Sequence, residues 1–582
     1  MAVMHNQRIA RLLNEMSEYL EVQDIPFKPQ AYARAAGVIA GMTDEATDIY
    51  DQNGKKGLDG ISGVGRGIAE KIEEFITTGR IKELEQMKKK FPVNVSELSA
   101  VQGVGPKKIA VLYKKLKIKN CADLERAVRH HTVAALPHFG KKSEEQILKG
   151  IEFLKKGKGR MLLGTVLPLA QDIEARLKKV PGIKQVIIAG SIRRRQETIG
   201  DIDIVATTAH PKRAMDAFIS LPEVELIYSS GATKTMVRLS LGIDADLRVV
   251  SDDCYGAALQ YFTGDKQHNI EVRKIAIKKG YKFSEYGLFK GKKLIAAKTE
   301  EEIYQKLGLA YMPPELRTAS GEIEQARRNG LPDLIPYGSI RGDLQVQTNW
   351  TDGNASIEEM ATAAIKAGLE YIAITDHTTS LAMTGGLDEK KLAKQAGEID
   401  RLNRTLRTKK FRILKSAEVN IMKDGTLDIS DAMLKKLDLV CVAAHSHFAL
   451  SEEDQTKRII QALKHPLVNI LFHPTGRRIG RREPYALDMG KIIRAAKQYG
   501  VCLEANASPD RLDLKDTHIR MAVEHGVKLV VDSDAHAPGH FDNLDLGVAQ
   551  VRRGWGKRSD VFNTLPVEKL LVVLKKLKKS AK

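Results

Sequence analysis

GSIRRRQETIGDIDIVAT, residues 190–207, is the stretch from which the rest of the chain can be read. It opens on Gly190-Ser191, carries Arg193 and Arg194, and runs into Gly200-Asp201-Ile202-Asp203. The last part gives a strand signal, and on a strand residues i and i+2 point to one face. Asp201 and Asp203 can therefore share a metal pair. Hard carboxylate oxygens suit Mg²⁺, which keeps waters and substrate phosphates as its other ligands. Asp246, in the later strand signal DADLRVV (244–250), offers a third carboxylate. Three carboxylates around two ions provide what in-line phosphoryl or nucleotidyl transfer needs. The Ser191 hydroxyl and Arg194 guanidinium would hold the outgoing phosphates. A lone Asp-x-Asp is weak, because exposed strand ends often carry aspartates. Gly-Ser at this spacing from Gly-Asp-x-Asp is far more specific.

Upstream, helical periodicity dominates to about Lys156, with Ile9, Leu12, Leu13, Met16 and Leu20 recurring at three and four residues. Two glycine-punctuated segments resemble each other here: Ile61-Ser62-Gly63-Val64-Gly65 before the run Ile68 to Phe75, and Val101-Gln102-Gly103-Val104-Gly105 before Ile109 to Leu116. Leu136-Pro137-His138-Phe139-Gly140 is a fainter third copy. A Gly-x-Gly turn lets the backbone approach a phosphate with N–H groups facing the anion at a helix start. One such turn reads as a helix C-cap; repeated in a basic helical region, it reads as DNA-backbone binding. The composition agrees. The chain has 582 residues, 93 Lys plus Arg against 73 Asp plus Glu, and a net charge of +20, which points to a polyanionic partner. That length suggests roughly four domains. Cys121, Cys254, Cys441 and Cys502 never form CxxC, which argues against a disulfide scaffold or zinc ribbon and fits a reducing cytosol. No apolar run approaches the roughly 18 residues a membrane span needs, and MAVMHNQRIARLLNEM lacks a signal peptide's apolar stretch.

After Gly342 the apolar runs YIAIT, FRILKSAEV, LDLVCVAA, VNILF, VCLEA and VKLVV alternate with helix-like segments, the pattern of a barrel or doubly wound sheet. Asp352 lies in the first loop. His377, Glu418, His445, His473, Asp534 and His536 sit at the C-terminal ends of the expected strands, where barrel enzymes assemble active sites. The basic tail VEKLLVVLKKLKKSAK reads as a solvated final helix.

The Gly-Ser/Gly-Asp-x-Asp block resembles the nucleotidyltransferase signature of the family X DNA polymerases, the group containing DNA polymerase beta. Gly231-Ala232-Thr233-Lys234, the Asp246 strand and Tyr261-Phe262-Thr263-Gly264 continue the likeness. The resemblance implies that Gly190, Ser191, Arg194, Gly200, Tyr261, Phe262, Gly264 and Asn269 face the nucleotide and that Arg273 touches the template. Asp265 stands where a serine is more usual. The glycine segments resemble helix-hairpin-helix motifs, which assigns Gly63, Gly65, Gly103 and Gly105 to DNA. Lys71 matches the family's deoxyribose-phosphate lyase lysine, with Lys28 and Tyr32 as supporting positions. A solvated helix lysine is the simpler account of Lys71, and Lys28 binding a 5′-phosphate is the alternative without chemistry.

Thr375-Asp376-His377, His473-Pro474-Thr475-Gly476-Arg477 and Asp534-Ala535-His536 resemble the polymerase and histidinol phosphatase (PHP) domain, a distorted seven-stranded barrel with a three-metal phosphoesterase site. That family's first motif is His-x-His; here Gln345 and Gln347 hold both positions. An amide oxygen is a weak ligand for Mn²⁺ or Zn²⁺ beside imidazole, so hydrolysis should be weak or absent. The expected architecture is multidomain α and α/β. Residues 1–85 form a lyase-like helical domain and 86–156 a fingers-like helix-hairpin-helix domain. A nucleotidyltransferase palm (157–250), a thumb (251–317), a linker (318–336) and a (β/α)7 PHP barrel (337–582) follow. The expected function is addition of dNTPs to a primer 3′-hydroxyl in gapped or nicked DNA, with Mg²⁺ or Mn²⁺ on Asp201, Asp203 and Asp246. Base-excision repair, a monomer and a cytoplasmic, nucleoid-associated location are expected. The alternatives are a metal-dependent DNA phosphoesterase (3′–5′ exonuclease or abasic-site endonuclease) and a non-enzymatic DNA-end-binding scaffold.

Overall fold

The computed structural model describes residues 5–580 other than 41, 43, 62, 100, 102, 138, 157–158, 382–383 and 407–409. Ser62, Gln102 and His138 of the three glycine segments thus lie outside the described residues, as do the first four residues and the last two. No helix among the described residues is long and apolar enough to cross a membrane.

The N-terminal region is helical. Ile9, Leu13, Met16 and Leu20 form the buried stripe of the first helix, His5–Val22. A single apolar cluster runs from Ile9 to Ile151, through both helical segments that the sequence separates near residue 85. The Tyr19 hydroxyl donates to the Val93 carbonyl at 2.6 Å across that division. Gly63 and Gly103 turn the chain at φ of 83° and 86°, a conformation glycine adopts without steric cost. Each turn leads into a helix, Arg66–Thr78 and Pro106–Leu116, whose preceding residue is Gly65 or Gly105.

The middle of the chain is built on a five-stranded mixed sheet. Its order is Ile183–Ile188, Asp201–Thr208, Asp244–Val250, Lys234–Leu239 and Val224–Ser230. The second and third of these run parallel, pairing Asp201 with Asp244 and Asp203 with Asp246. The edge strand Val224–Ser230 carries no buried residue and leaves Leu226, Ile227 and Tyr228 exposed. The first of these strands ends at Ile188, because Gly190 opens the short helix Gly190–Arg193. A smaller three-stranded antiparallel sheet, Lys282–Ser284, Gly287–Lys290 and Lys293–Ala296, has its own apolar core.

In the C-terminal half, parallel pairings run in chain order through Gly342–Val346, Tyr371–Ile374, Arg412–Lys415, Glu418–Asn420, Cys441–Ala443, Ile470–Leu471, Cys502–Asn506 and Leu529–Asp532. Ser416-Ala417 interrupts one run, so it pairs backward as Arg412–Lys415 and forward as Glu418–Asn420. The bridges His377–Glu418 and Val346–Ala535 join the two sheets at that break and close the ring, consistent with a seven-stranded barrel. Palm and barrel share apolar contacts, since Leu512 and Leu546 of the barrel belong to the palm's core cluster.

The two sheets of the middle region are joined by buried charges. Glu300 accepts from Arg193 at 2.7 Å and from the fully buried Arg317 at 2.5 Å. Burial alone would raise the Glu300 carboxyl, but the two guanidiniums outweigh it and hold it at about 2. Removing one partner of such a pair strands buried charge at a cost of about 3–5 kcal/mol. Glu300→Gln should lower the unfolding free energy at pH 7 by about that amount, read from urea titrations. Glu300 ionises more readily folded than unfolded. Its contribution is therefore complete above its ordinary value of 4.5 and is lost as pH falls towards 2, where the variant and parent converge.

Candidate functional site

Parallel register brings the first three predicted carboxylates together. Asp203 and Asp246 are direct cross-strand partners, and Asp201 lies two residues along the same face as Asp203. Burial, then the charges of Asp201 and Asp246, push the Asp203 carboxyl up to about 7. Asp201 is raised by burial, then by the charges of Asp246 and Asp244. Lys234 compensates Asp246 in part, with Nζ 3.1 Å from Oδ2. Such crowding of like charges is relieved by a cation, and the oxygen donor set suits a hard divalent ion.

Gly190 stands over this group at φ 58°, and a Cβ there would fall onto the Asp203 carboxylate. Only glycine allows the short helix to begin so close to the acids. Beside it opens a cleft of about 420 Å³ lined by Arg160, Gly190, Ser191, Arg194, Gln196, Asp201, Asp203, Phe262 and Asp265. Ser191 Oγ and Arg194 Nε are buried and find no hydrogen-bond partner among the described residues. Both are therefore donors awaiting an acceptor. Burial lowers the Arg194 guanidinium from its usual value, which adds to the demand for an anion there.

The aromatic pair predicted to face the nucleotide is braced by cations: Arg248 lies 4.4 Å from the Phe262 ring and Arg273 5.0 Å from Tyr261. The Asn269 amide donates to the Tyr261 carbonyl at 2.7 Å and accepts from Gln260 at 3.1 Å, so it shapes the Tyr261 backbone from behind. Gly264 is the neighbour it excludes, since a Cβ there would meet the Asn269 oxygen. Asp265 does what a serine would do at that point: its carboxylate caps the helix Lys266–Lys278, accepting from the Gln267 N–H at 2.7 Å. Gly200 faces Arg160, a cleft residue the sequence did not single out.

In the N-terminal region an open cavity of about 600 Å³ is lined by Gln30, Ala31, Arg34, Gly63, Val64 and Gly65. Around Gly65, Gly103 and Gly105 a side-chain carbon would meet nothing, so the backbone there is open to a partner. Lys71 is tied to Glu83 at 2.8 Å. Tyr32 is buried, and burial reinforced by Glu83 pushes its hydroxyl up to about 12. Lys28 is exposed at the start of the helix Lys28–Ala40.

The barrel gathers the remaining predicted ligands at the C-terminal strand ends. Glu418 is their centre: its oxygens lie 2.7 Å from His473, 3.0 Å from His445 and 3.4 Å from His377. Despite full burial, His377 and His445 hold the Glu418 carboxyl well below the usual range. Two groups have metal-ligand spacing, Asp352–His377–His536 and His377–Glu418–His445. Burial opposes charge on His536, but Asp352 and Asp534 raise it to about 9.

Gln345 and Gln347 are fully buried, and each is bonded through one end of its amide, while Gln345 Nε2 and Gln347 Oε1 find no hydrogen-bond partner among the described residues. Gln347 donates to Glu418 at 2.8 Å, and Asn506 donates to Gln345 Oε1 at 3.0 Å and to Asp534 at 3.2 Å. Arg511 is a further 3.2 Å partner of Asp534. A guanidinium and two amides thus meet carboxylates where the family's first motif would supply two imidazoles. The chain's donors fit cations at Asp352, His377, Glu418, His445 and His536, and do not fit one at Gln345 and Gln347. Sequence reading missed Glu504, Asn506 and Arg511. The first two end the VCLEA strand and were open to the same strand-end logic; Arg511 lies in a loop and carried no signal.

Family models match the chain in four places: DNA polymerase beta thumb at 258–318, a helix-hairpin-helix domain at 4–81, a SAM-like helix-hairpin-helix tandem at 55–117 and 95–152, and a PHP domain at 343–507. The chain is 37% identical over 578 residues to the DNA polymerase/3'-5' exonuclease PolX of Bacillus subtilis, covering 98% of this chain and all of that protein. It is 33% identical over 239 residues to a probable phosphatase of Thermoanaerobacter, or 39% of this chain and 90% of the relative. A 27% match over 299 residues, 44% of this chain and 53% of the relative, is to DNA polymerase lambda of Arabidopsis thaliana.

Restoring imidazoles should restore a cation position. Gln345→His/Gln347→His is expected to add one tightly held Mn²⁺ per chain, counted by electron paramagnetic resonance during titration. An unchanged count would show that Asn506 and Arg511 keep the position closed.

Proposed function

The chain belongs to the family X DNA polymerases that carry a PHP domain, and we propose on that premise that it fills short gaps in DNA from the palm carboxylates. The observation that carries this reading is the parallel register of Asp203 with Asp246, with Asp201 on the same face and two unsatisfied donors, Ser191 and Arg194, on the adjoining cleft. Divalent ions bound by the three aspartates would supply the charge that activates the primer hydroxyl and stabilises the leaving oxygen. Mg²⁺ or Mn²⁺ suits these oxygens. Ser191 and Arg194 hold the triphosphate, and Tyr261 and Phe262 form the wall against the incoming sugar. The glycine turns at Gly63–Gly65 and Gly103–Gly105 hold the DNA backbone without reading bases, which suits gaps of any sequence.

In this reading the barrel is chiefly a scaffold, because Gln345, Gln347, Asn506 and Arg511 close one of its cation positions. For Lys71, the Glu83 pair favours a packing role over Schiff-base chemistry, which needs a free amine.

Asp201→Asn should lower incorporation of a single dNTP on a gapped duplex by at least about 10²–10³-fold and leave DNA binding nearly intact by electrophoretic shift. Retained incorporation would move the chemistry elsewhere. On a 5′-labelled primer with Mn²⁺ and no nucleotide, the parent should shorten the primer little, and Gln345→His/Gln347→His should shorten it. Degradation by the parent that His377→Ala and Asp534→Ala both abolish would show the barrel to be a working exonuclease. Borohydride trapping of an abasic 5′-phosphate substrate by the parent but not by Lys71→Ala would establish the lyase.

A further inference from the structure

The palm's phosphate-holding turn is held from outside by the barrel. Residues 190–197 contain Ser191 and Arg194, and two barrel arginines grip this segment. Arg553 Nη1 donates to the main-chain carbonyl of Arg194 at 3.0 Å, and its other terminal nitrogen is paired with Asp516. Arg477 forms a two-pronged bond to Glu197, at 2.6 and 3.1 Å, and also donates to the Leu512 carbonyl. Both arginines are more than nine-tenths buried. The segment also has restraints of its own: the short helix Gly190–Arg193, the buried Ile192, the Arg193–Glu300 pair, and N–H bonds from Arg195 to Ile192 O at 2.9 Å and from Gln196 to Ser191 O at 3.0 Å. The barrel arginines add a hold on the Arg194 carbonyl and the Glu197 side chain. The Arg194 guanidinium leans on the Thr263 carbonyl at 2.5 Å, its N–H bonds the Gly190 carbonyl at 3.3 Å, and its own carbonyl is the group that Arg553 bonds.

The arginines are themselves rigidly based. Arg553 ends the helix Leu544–Arg553, and Leu546 of that helix sits in the palm's apolar core. Its neighbour Arg552 bonds Glu315 at 2.7 Å, so one barrel helix touches palm and thumb together. Arg477 lies four residues beyond His473, which is bonded to Glu418 in the barrel's centre. Gly164 in the palm lies so close to Pro509 and Leu546 that a Cβ there would collide with both. The interface is packed, not merely touching.

We infer that Arg553 and Arg477 are positioning residues for nucleotidyl transfer: through the Arg194 carbonyl and the Glu197 carboxylate they hold the turn that presents Ser191 and Arg194 to the triphosphate. This rests on the polymerase reading. The side chains never reach the cleft, so their effect passes through the turn and falls on the nucleotide, not on the DNA. Loss of a charge-assisted contact to a turn that binds ground state and transition state alike raises KM with little change in kcat.

Steady-state insertion of one dNTP on a gapped duplex, with the full chain and Mg²⁺, tests this. Arg553→Ala and Arg477→Ala should each raise KM for the dNTP about tenfold while kcat and KM for DNA stay within about threefold. Arg553→Lys, which keeps a charged donor, should recover most of the loss. Exchange of the pair, Arg477→Glu with Glu197→Arg, should recover more than either single change. Thermal unfolding of each variant accompanies the kinetics. Unchanged KM for the dNTP in both alanine variants overturns the inference. So does a parallel decline of kcat, DNA affinity and melting temperature, which marks a purely structural role. If the parent itself incorporates nothing, the polymerase reading falls and this inference with it; if the parent incorporates and the variants match it, only the inference falls.

Discussion

Like charges forced together in a poorly solvated place set the terms for this molecule. Parallel pairing of Asp201–Thr208 with Asp244–Val250 puts Asp203 opposite Asp246 and Asp201 on the same face, and no shift of one residue would do so. The register is held by the buried apolar residues between them, Ile202, Ile204, Ala245 and Leu247, all with no exposed surface. Folding energy from that core is spent in bringing carboxylates close, and Asp203 resists ionisation as a result. A cation is the natural remedy. The same repulsion explains the surrounding donors, because Lys234, Arg194, Arg248 and Arg160 all lie where a negative centre can use them.

The barrel faces the same problem and solves part of it internally. Glu418, Glu504, Asp532 and Asp534 are buried within it. Glu418 is neutralised by histidines, whereas Glu504 is driven well above the usual range by burial and by Asp532 and Asp534. Where a His-x-His motif would bring a metal, Gln347 hydrogen-bonds Glu418, and Asn506 and Arg511 attend Asp534. A guanidinium is a permanent cation that needs no loading. It balances a carboxylate without offering the open coordination position that hydrolysis requires. The buried carboxylates Glu418 and Asp534 are thus balanced in part by the chain's own donors.

Much of this was legible in the sequence, for identifiable reasons. Asp201, Asp203 and Asp246 were readable because strand periodicity is strict and the Gly-Ser spacing is specific. The barrel ligands were readable because they follow apolar runs. The Val224–Ser230 strand was passed over although Val224, Leu226, Ile227 and Tyr228 lie in it; the last three are exposed on an edge, so they mark no core face. Asn269 was read as a nucleotide contact from its motif position; what the sequence did not display is that the same side chain donates to the Tyr261 carbonyl and accepts from Gln260. The continuous core from Ile9 to Ile151 was equally hidden, because helical periodicity tells which face is buried but not against what. Arg511 and Arg553 were invisible for a related reason. A long cationic side chain in a basic chain has no signature until the acceptor it reaches is known.

That last class of residue bears on what ties the barrel to the palm. Leu512 and Leu546 complete the palm's apolar cluster, and Pro509 packs against Gly164. Taking the barrel away would expose that surface and strand Glu197 and Glu315, which now face Arg477 and Arg552. Exposed apolar patches and stranded carboxylates each cost stability. The palm therefore depends on the barrel for packing and charge balance whether or not the barrel hydrolyses anything. The glutamines at 345 and 347 lie at the barrel mouth, away from this outer face. The strand-end cluster around Glu418 and the flank that meets the palm are separate parts of the barrel, so a change at one need not disturb the other.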